Sequence, residues 1–243
     1  MRFPKVGDAK IMYYKRKGKG LNMLRRKLMK IIKRALLGVV FTMSLISGLG
    51  GHIANACGFT PQDKTIILDA GHGGHDSGAI GIDGQTQEKD LNLSLTKEIK
   101  RECEKRGIKV YLTRDKDEFK TLGERIRYAN GHEDSDMYMS IHHNSHTDKK
   151  ASGSQIHYDY YNSKGEKIAR DLSWKLSNGA KTENRGAIKS NFYTRHIKQP
   201  TVLVETSFMS NKEDLQKAKE NQKEIAKQIV DGVEELYEKN ILK

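Results

Sequence analysis

Residues 65–78 read TIILDAGHGGHDSG. The apolar residues at the start of this stretch predict a short buried strand, because a brief apolar run bounded by turn residues is typical of one. The glycine-rich part that follows predicts a loop, and it places His72 just beyond the carboxyl end of the strand. Residues 89–106 then show the apolar spacing of an amphipathic helix, which Gly107 closes. A strand, a loop and a helix in this order indicate the first unit of an α/β fold.

The rest of the chain continues this alternation of strands and helices. Further strands are predicted at 108–113, 137–141, 154–161 and 201–204, with 154–161 as a candidate edge strand. Further helices are predicted at 122–130, 164–176 and 221–239. This alternation predicts a single α/β domain, with a mostly parallel twisted sheet of about six strands flanked by helices.

Basic residues are concentrated at the start of the chain. The formal net charge is +13, but thirteen of the 44 Lys and Arg residues, and only one of the 31 acidic residues, lie in residues 1–34. Residues 35–56 have no Lys, Arg, Asp or Glu, so 57–243 hold the remaining 31 basic and 30 acidic residues. A nucleic-acid-binding surface needs an excess of positive charge on the folded part. The near balance in 57–243 argues against a nucleic-acid partner.

The first 56 residues have the pattern of an export signal. The basic segment 1–34 precedes the apolar run 35–49, and Ala54-Asn55-Ala56 supplies small residues at the −3 and −1 positions of a cut before Cys57. An uncleaved N-terminal membrane anchor is the alternative. We therefore divide the chain into 1–56, a basic segment with a signal peptide or anchor, and 57–243, a catalytic domain. The domain is expected outside the cell, in the wall or anchored facing outward, with membrane contact only through the N-terminal segment.

The two cysteines, Cys57 and Cys103, do not suggest a structural metal site. Export would permit a disulfide between them. However, Cys103 continues the helical i+4 stripe of Leu91, Leu95 and Ile99, which favours a small buried hydrophobic residue.

Chemically active side chains follow three of the predicted strands. His72 follows the first, His142 follows the strand 137–141, and Glu205 follows the strand 201–204. Glu88 begins the helix after the glycine-rich loop and can reach the same rim. In open α/β sheets, functional groups collect at the carboxyl ends of the strands. Two imidazoles and a carboxylate suit Zn²⁺ in a hydrolytic site, and a second carboxylate can serve as the general base.

Each of these residues also has an ordinary structural interpretation. A histidine after a strand is usually a hydrogen-bonded or surface residue, and Glu88 alone would be explained by the helix dipole. Strand alternation should turn His143 away from His142, and His75 lies in the loop without an obvious role. The pattern alone therefore leaves a metal site and a structural role open. It disfavours a phosphate-binding loop, which lacks the third glycine of G-x-G-x-x-G, and a serine hydrolase, which lacks G-x-S-x-G.

Four motifs resemble those of the zinc-dependent N-acetylmuramoyl-L-alanine amidases, a family of sporulation, lytic and cell-division enzymes. The motifs are LDAGHGG at 68–74, QEKD at 87–90, SIHHNS at 140–145 and VETSFMSN at 204–211. The likeness covers roughly residues 64–238. Secondary matches are Leu112, Thr113, Arg114, Leu122, Arg125, Ala129 and Asn130.

The resemblance implies one Zn²⁺ per chain, with His72, Glu88 and His142 as ligands and Glu205 as the catalytic acid. The implied reaction cleaves the amide bond between N-acetylmuramic acid and L-alanine in peptidoglycan. His143 departs from the family, where a small or apolar residue is more usual. His142 is taken as the ligand because it directly follows Ser140-Ile141.

Two other functions are retained as alternatives. One is a catalytically inactive wall-binding or partner-binding module of the same fold, and the other is a zinc peptidase that acts on the stem peptide. Within the amidase interpretation, a lytic role, a spore-cortex role and a regulatory or targeting protein partner all stay open.

Overall fold

A six-stranded sheet forms the centre of the part described in this computed structural model, residues 63–159 and 162–243. Its strands are β1 Thr65–Ala70, β2 Lys109–Leu112, β3 Met137–Asn144, β4 Ser154–Asp159, β5 Asn184–Ser190 and β6 Thr201–Phe208. They lie in the order β2-β1-β3-β6-β4-β5. β4 runs antiparallel to β6, and the other four neighbouring pairs are parallel. The predicted α/β fold with a mostly parallel sheet is confirmed.

Five helices flank this sheet in the described residues. They are α1 Glu88–Lys105, α2 Leu122–Gly131, α3 Ser163–Ala180, α4 Lys212–Glu220 and α5 Gln222–Glu238. Apolar residues of α1, α3 and α5 form the main core with one face of the sheet. α2 and the short 3-10 turn Tyr193–His196 cover part of the other face, where Ile67, Ala129 and Tyr138 meet. β1 is buried on both sides because Ile66 and Leu68 enter the first core and Ile67 enters the second.

Most predicted elements are present, but three points of the prediction need correction. The strand predicted over 154–161 was expected at an edge, whereas β4 lies between β6 and β5. The edge strand on that side of the sheet is β5. It was not predicted, because its sequence NRGAIKS is half-exposed and lacks apolar alternation. α4 was also not predicted, although Asn211 caps it by accepting hydrogen bonds from the backbone N–H groups of Glu213 and Asp214.

Cys103 is fully buried in the main core, as its place on the helical stripe predicts. Burial raises the pKa of its thiol to about 12, which keeps the group in the neutral form suited to an apolar environment.

The predicted basic segment and signal peptide or anchor, residues 1–56, lie outside the described residues, so the domain boundary stays a prediction. Within the described ranges, no helix has the length and apolar character needed to span a bilayer.

Candidate metal centre

The four candidate residues lie together at one rim of the sheet. β1 and β3 are paired in register up to Ala70 and Ile141, so His72 and His142 emerge side by side. On the next strand, Glu205 is the direct cross-strand neighbour of His142. Glu88 is the first residue of α1. His142 and Glu205 lie within their strands rather than beyond them, because β3 and β6 continue to Asn144 and Phe208.

Three of these side chains can share one metal ion. His72, Glu88 and His142 each offer a ligand atom, and the three atoms lie within 4.8 Å of one another. Glu88 lies between the two imidazoles, with its Oε2 atom 3.2 Å from His72 Nε2 and its Oε1 atom 3.0 Å from His142 Nδ1. The rings of His72 and His142 meet nearly perpendicularly, with their centroids 4.9 Å apart.

The charges within this cluster are strongly coupled. Burial alone would raise the pKa of Glu88, but the neighbouring imidazoles His142 and His72 hold it well below its usual range. Burial alone would lower the pKa of His72, but hydrogen bonds and charge from Glu88 and Asp76 raise it to about 9. In this arrangement the positive charge that Glu88 requires is supplied by protonated imidazole. A divalent cation would meet the same requirement.

Glu205 differs from Glu88 in having no hydrogen-bond partner among the described residues. Its Oε2 atom is shielded from solvent and accepts no hydrogen bond from the described residues. Burial raises the pKa of Glu205 to about 7, although the nearby imidazole of His142 opposes the shift. A carboxylate with a pKa near neutrality can both accept and return a proton.

Two glycines make room for the candidate ligands. A Cβ atom on Gly71 would lie 2.2 Å from the Cε1 atom of His142, inside van der Waals contact. Gly78 has a φ of +64°, and a Cβ atom there would lie 2.6 Å from Glu88 Oε2. His72 itself has a φ of 60°, an uncommon conformation for a residue with a side chain. Strain of this kind is often found at functional sites, where the surrounding structure holds it.

Comparison with known proteins identifies the family. The family model described as N-acetylmuramoyl-L-alanine amidase matches residues 66–235. The chain belongs to this amidase family. Its members act on peptidoglycan, and zinc dependence is a general property of the family.

Two relatives and one solved structure illustrate the similarity. The amidase is 34% identical over 182 residues to the uncharacterized protein YqiI of Bacillus subtilis (strain 168), covering 73% of this chain and 86% of YqiI. It is 35% identical over 160 residues to the N-acetylmuramoyl-L-alanine amidase LytC of the same strain, covering 65% of this chain but only 32% of LytC. It is 31% identical to the CwlD amidase from Clostridioides difficile, solved in complex with the GerS lipoprotein, with a TM-score of 0.66 over 72% of this chain and 98% of CwlD.

In this amidase, two buried arginines hold the backbone that carries His72. Arg114 donates to the carbonyl oxygens of Ala70 and Gly71 at 2.8 and 2.9 Å. Arg125 donates to the carbonyl oxygens of Ala70 and His72 at 2.8 and 2.7 Å. Three consecutive carbonyl groups are therefore fixed by guanidinium groups, which stabilises the unusual backbone conformation of His72.

A buried carboxylate beneath this loop compensates the charge of Arg125. Asp69 is fully buried and forms an ion pair with Arg125. It also accepts hydrogen bonds from the hydroxyl groups of Thr113, Ser140 and Tyr193. Burial alone would raise the pKa of Asp69, but the charge of Arg125 and these hydrogen bonds lower it below its usual value. Asp69 is thus a fully satisfied structural carboxylate.

Two residues that orient the candidate ligands were missed in the sequence. Asp76 Oδ2 lies 2.8 Å from His72 Nδ1. Asn92 donates from its side-chain amide to Glu88 Oε1 at 3.1 Å. Both lie four residues after the side chain they contact, Asn92 on a helix and Asp76 in a loop. A polar asparagine next to the apolar stripe of α1 was the available signal.

The additional histidines near the rim do not join the cluster. His143 points toward α1, as strand alternation predicts, and its Nδ1 atom donates to Asn92 Oδ1 at 2.8 Å. Burial lowers the pKa of His143 to about 4, so it is neutral at physiological pH. His75 instead lies against the ring of Phe119, with centroids 4.0 Å apart.

Proposed function

We propose that this chain is a zinc-dependent N-acetylmuramoyl-L-alanine amidase that hydrolyses the bond between N-acetylmuramic acid and L-alanine. The observation that carries the proposal is the convergence of His72, Glu88 and His142 within 4.8 Å, beside the unpaired carboxylate of Glu205. Two imidazoles and one carboxylate are the donor set that hydrolytic zinc sites use with an open fourth position.

The residues present fit a zinc ion on chemical grounds. Glu88 is buried and ionised, with imidazoles on both sides, and the described residues place no Lys or Arg in salt-bridge contact with it. Asp76 and Asn92 orient the ligands His72 and Glu88 from behind, as outer-shell partners do in zinc sites. His72, Glu88 and His142 would hold the ion. Zinc bound there would supply Lewis-acid activation of a water molecule and of the scissile carbonyl.

Glu205 has the position and the proton affinity of the general base. It is the cross-strand neighbour of His142 and faces the same rim. With a pKa raised to about 7, it would accept a proton from the attacking water and return it to the departing nitrogen of L-alanine. The buried Oε2 atom accepts no hydrogen bond from residues 63–159 and 162–243 and is available for that proton.

Product analysis tests this function against its alternatives. The full chain, loaded with one equivalent of zinc, is incubated with purified peptidoglycan, and the products are identified by mass spectrometry. We expect intact stem peptides that begin with L-alanine, together with glycan strands that carry free lactyl carboxyl groups. Cuts within the stem peptide would favour the zinc peptidase, and an unchanged substrate with bound protein would favour the inactive binding module.

The ligand assignment has its own test. His142→Ala should lose zinc, measured by elemental analysis of the purified protein, while His143→Ala should retain it. If the first variant still carried one equivalent of zinc and the second did not, His143 would replace His142 as the proposed ligand.

The proposal extends to the location and setting of the enzyme. The basic and apolar pattern of residues 1–56 supports export to the wall, with either cleavage after Ala56 or retention as an anchor. Amino-terminal sequencing of the exported protein distinguishes the two, since cleavage would leave Cys57 as the first residue. Parallel digestion of vegetative and spore-cortex peptidoglycan tests the two proposed substrates.

A protein partner is part of the same proposal, supported by the solved complex of CwlD with the GerS lipoprotein. Measuring activity of the purified chain with and without a cell-envelope extract tests whether a partner is required.

A further inference from the structure

The sheet face that carries Glu205 extends beyond the metal centre onto β4 and β5. His142, Glu205 and Gln155 are direct neighbours across β3, β6 and β4, so their side chains share one face. α3 packs against the opposite face of β4 and β5, where Ile156 enters the main core. Gln155 and His157, on the other face, remain partly exposed. The catalytic carboxylate therefore borders an accessible polar surface.

One cation is held in a fixed position on this surface. Arg185, on β5, donates from Nε to Gln155 Oε1 at 3.0 Å and from Nη1 to the carbonyl oxygen of Ser152 at 3.2 Å. Its guanidinium also lies 5.2 Å from the centre of the Phe208 ring. Gly153 makes room for it, since a Cβ atom there would lie 2.9 Å from the Arg185 side chain. Three contacts thus hold an exposed arginine beside Gln155.

The charge of Arg185 is not neutralised within the described residues. No acidic side chain in 63–159 or 162–243 forms a salt bridge with it, and its Nη2 atom donates no hydrogen bond there. Arg114 and Arg125 differ, because all of their nitrogens donate to carbonyl or carboxylate oxygens. An exposed guanidinium that is already ordered loses little freedom when it binds a planar anion such as a carboxylate.

The proposed substrate has carboxylates on one side of the scissile bond. The lactyl carboxyl group of muramic acid is consumed in the amide, so the neighbouring sugar is uncharged, whereas the stem peptide carries free carboxylates from its second residue onward. Gln155 is one strand spacing, roughly 5 Å, from Glu205, and Arg185 belongs to the strand after that. An extended peptide advances about 3.3–3.6 Å per residue. The second residue after the bond would therefore come within reach of the guanidinium.

We propose that Arg185, held by Gln155, binds the free α-carboxylate of the second stem-peptide residue and so places the peptide on the β4–β5 side of Glu205. This inference rests on the proposed amidase function. It assigns the muramic acid to the opposite side, toward the loop that carries His72. Arg185 is then a specificity-determining residue that discriminates against stem peptides whose second residue is amidated.

A pair of substrates tests the proposal. Disaccharide-peptides are prepared with the α-carboxyl group of the second residue either free or amidated, and kcat/KM is measured for each. Wild-type protein should prefer the free acid. Arg185→Met should lower kcat/KM for the free acid about 10- to 100-fold, the range for a lost charge-assisted hydrogen-bonded contact, and change it less than about threefold for the amide. Arg185→Lys keeps the charge but not the planar guanidinium, so its kcat/KM for the free acid should lie between those of the wild type and Arg185→Met.

Arg101→Met is the matched control, because Arg101 is an exposed arginine on α1 whose partner is Glu98. This variant should leave kcat/KM unchanged for both substrates. If Arg185→Met lowered kcat/KM equally for the free acid and the amide, or for neither, the proposed role of Arg185 would be overturned. If wild-type protein with zinc cleaves neither substrate, the proposed function fails and this inference fails with it. As a second readout, the affinity of the zinc-loaded Glu205→Gln variant for each substrate should show the same preference.

Discussion

Two carboxylates on the same face of the sheet have opposite surroundings. Asp69 is the penultimate residue of β1 and lies opposite Ser140. Glu205 lies on β6 opposite His142, two residues farther along β3. Asp69 is paired with Arg125 and accepts three hydroxyl hydrogen bonds, so its pKa is lowered. Glu205 Oε2 is buried and has no hydrogen-bond partner in the described part of the chain, and this burial raises the pKa of Glu205 to about 7.

The difference shows how one rim of the sheet can hold both a structural carboxylate and a carboxylate suited to proton transfer. A buried carboxylate that is fully paired stays ionised and stabilises the fold only through its partners. A buried carboxylate that is left unpaired costs stability but titrates near neutral pH, which suits proton transfer. Asp69, on the β1 side of the rim, therefore helps to position His72, whereas Glu205, on the β6 side, is suited to proton transfer.

The largest expected effect is a loss of activity on substitution of Glu205. Glu205→Gln should lower kcat about 10²- to 10⁴-fold, the contribution typical of a general base. Zinc content should stay near that of the wild type and the unfolding midpoint should not fall, because the buried oxygen of Glu205 makes no hydrogen bond with the described residues. Steady-state kinetics and elemental analysis check both parts. Wild-type turnover in this variant would remove Glu205 from the proposed mechanism.

The second effect appears in stability rather than chemistry. Asp69→Ala leaves the guanidinium of Arg125 buried without its counter-charge, and breaking a buried ion pair in this way costs about 3–5 kcal/mol. Urea unfolding of the metal-free protein should show the loss. Asp90→Ala, which removes an exposed acid in the first turn of α1, serves as the control and should cost far less. A loss below about 1 kcal/mol for Asp69→Ala would show that the network is not structural.

A third expected effect links the hydrogen bonds of Arg125 to the affinity of the site for zinc. Arg125→Lys keeps a positive charge near Asp69 but cannot reach the carbonyl oxygens of both Ala70 and His72. Zinc affinity, measured by competition with a chelator, should weaken about 10- to 100-fold, as for outer-shell partners of metal ligands. Arg127→Lys, an exposed position on the same helix, should leave the affinity unchanged. Equal affinities for both variants would contradict the positioning role of Arg125.

The smallest effect is a pH dependence of stability. The folded-state pKa of Asp69 lies below its ordinary value of 3.8, so ionised Asp69 contributes stability above that pH. This contribution is lost as the pH falls through the folded-state pKa. The difference in unfolding free energy between the wild type and Asp69→Asn should therefore be constant near neutrality and shrink below about pH 4. A difference that grows on acidification would have the wrong sign for a depressed carboxyl pKa.

Local periodicity predicted the fold wherever an element buries a continuous face. β1 and α1 were predicted because apolar residues fill the core positions of both elements. β5 was not predicted because an edge strand has few buried residues. The short helix α4 was not predicted because its sequence is largely charged. The reversed direction of β4 could not be predicted, since the apolar pattern of a strand is the same in both directions.

The residues of the candidate site were easier to predict from the sequence than the residues that hold them in position. Strand ends brought His72, His142 and Glu205 to one rim, because parallel strands end together. The roles of Arg114 and Arg125 depend on hydrogen bonds to backbone carbonyl groups, which side-chain spacing does not encode. Arg185 was not singled out either, because the reversal of β4 brings it to the rim from the start of a strand rather than the end.

The absence of a side chain at Gly71 sets a limit on how this enzyme can vary. Because even a methyl group there would overlap the imidazole of His142, substitution to alanine forces a ring rotation or a backbone shift. In a saturation library selected for wall hydrolysis, position 71 should thus be as intolerant as the histidines themselves. Gly84 also has a positive φ, but a Cβ atom there would meet no other atom within 4 Å, so this position should accept replacement more readily than position 71.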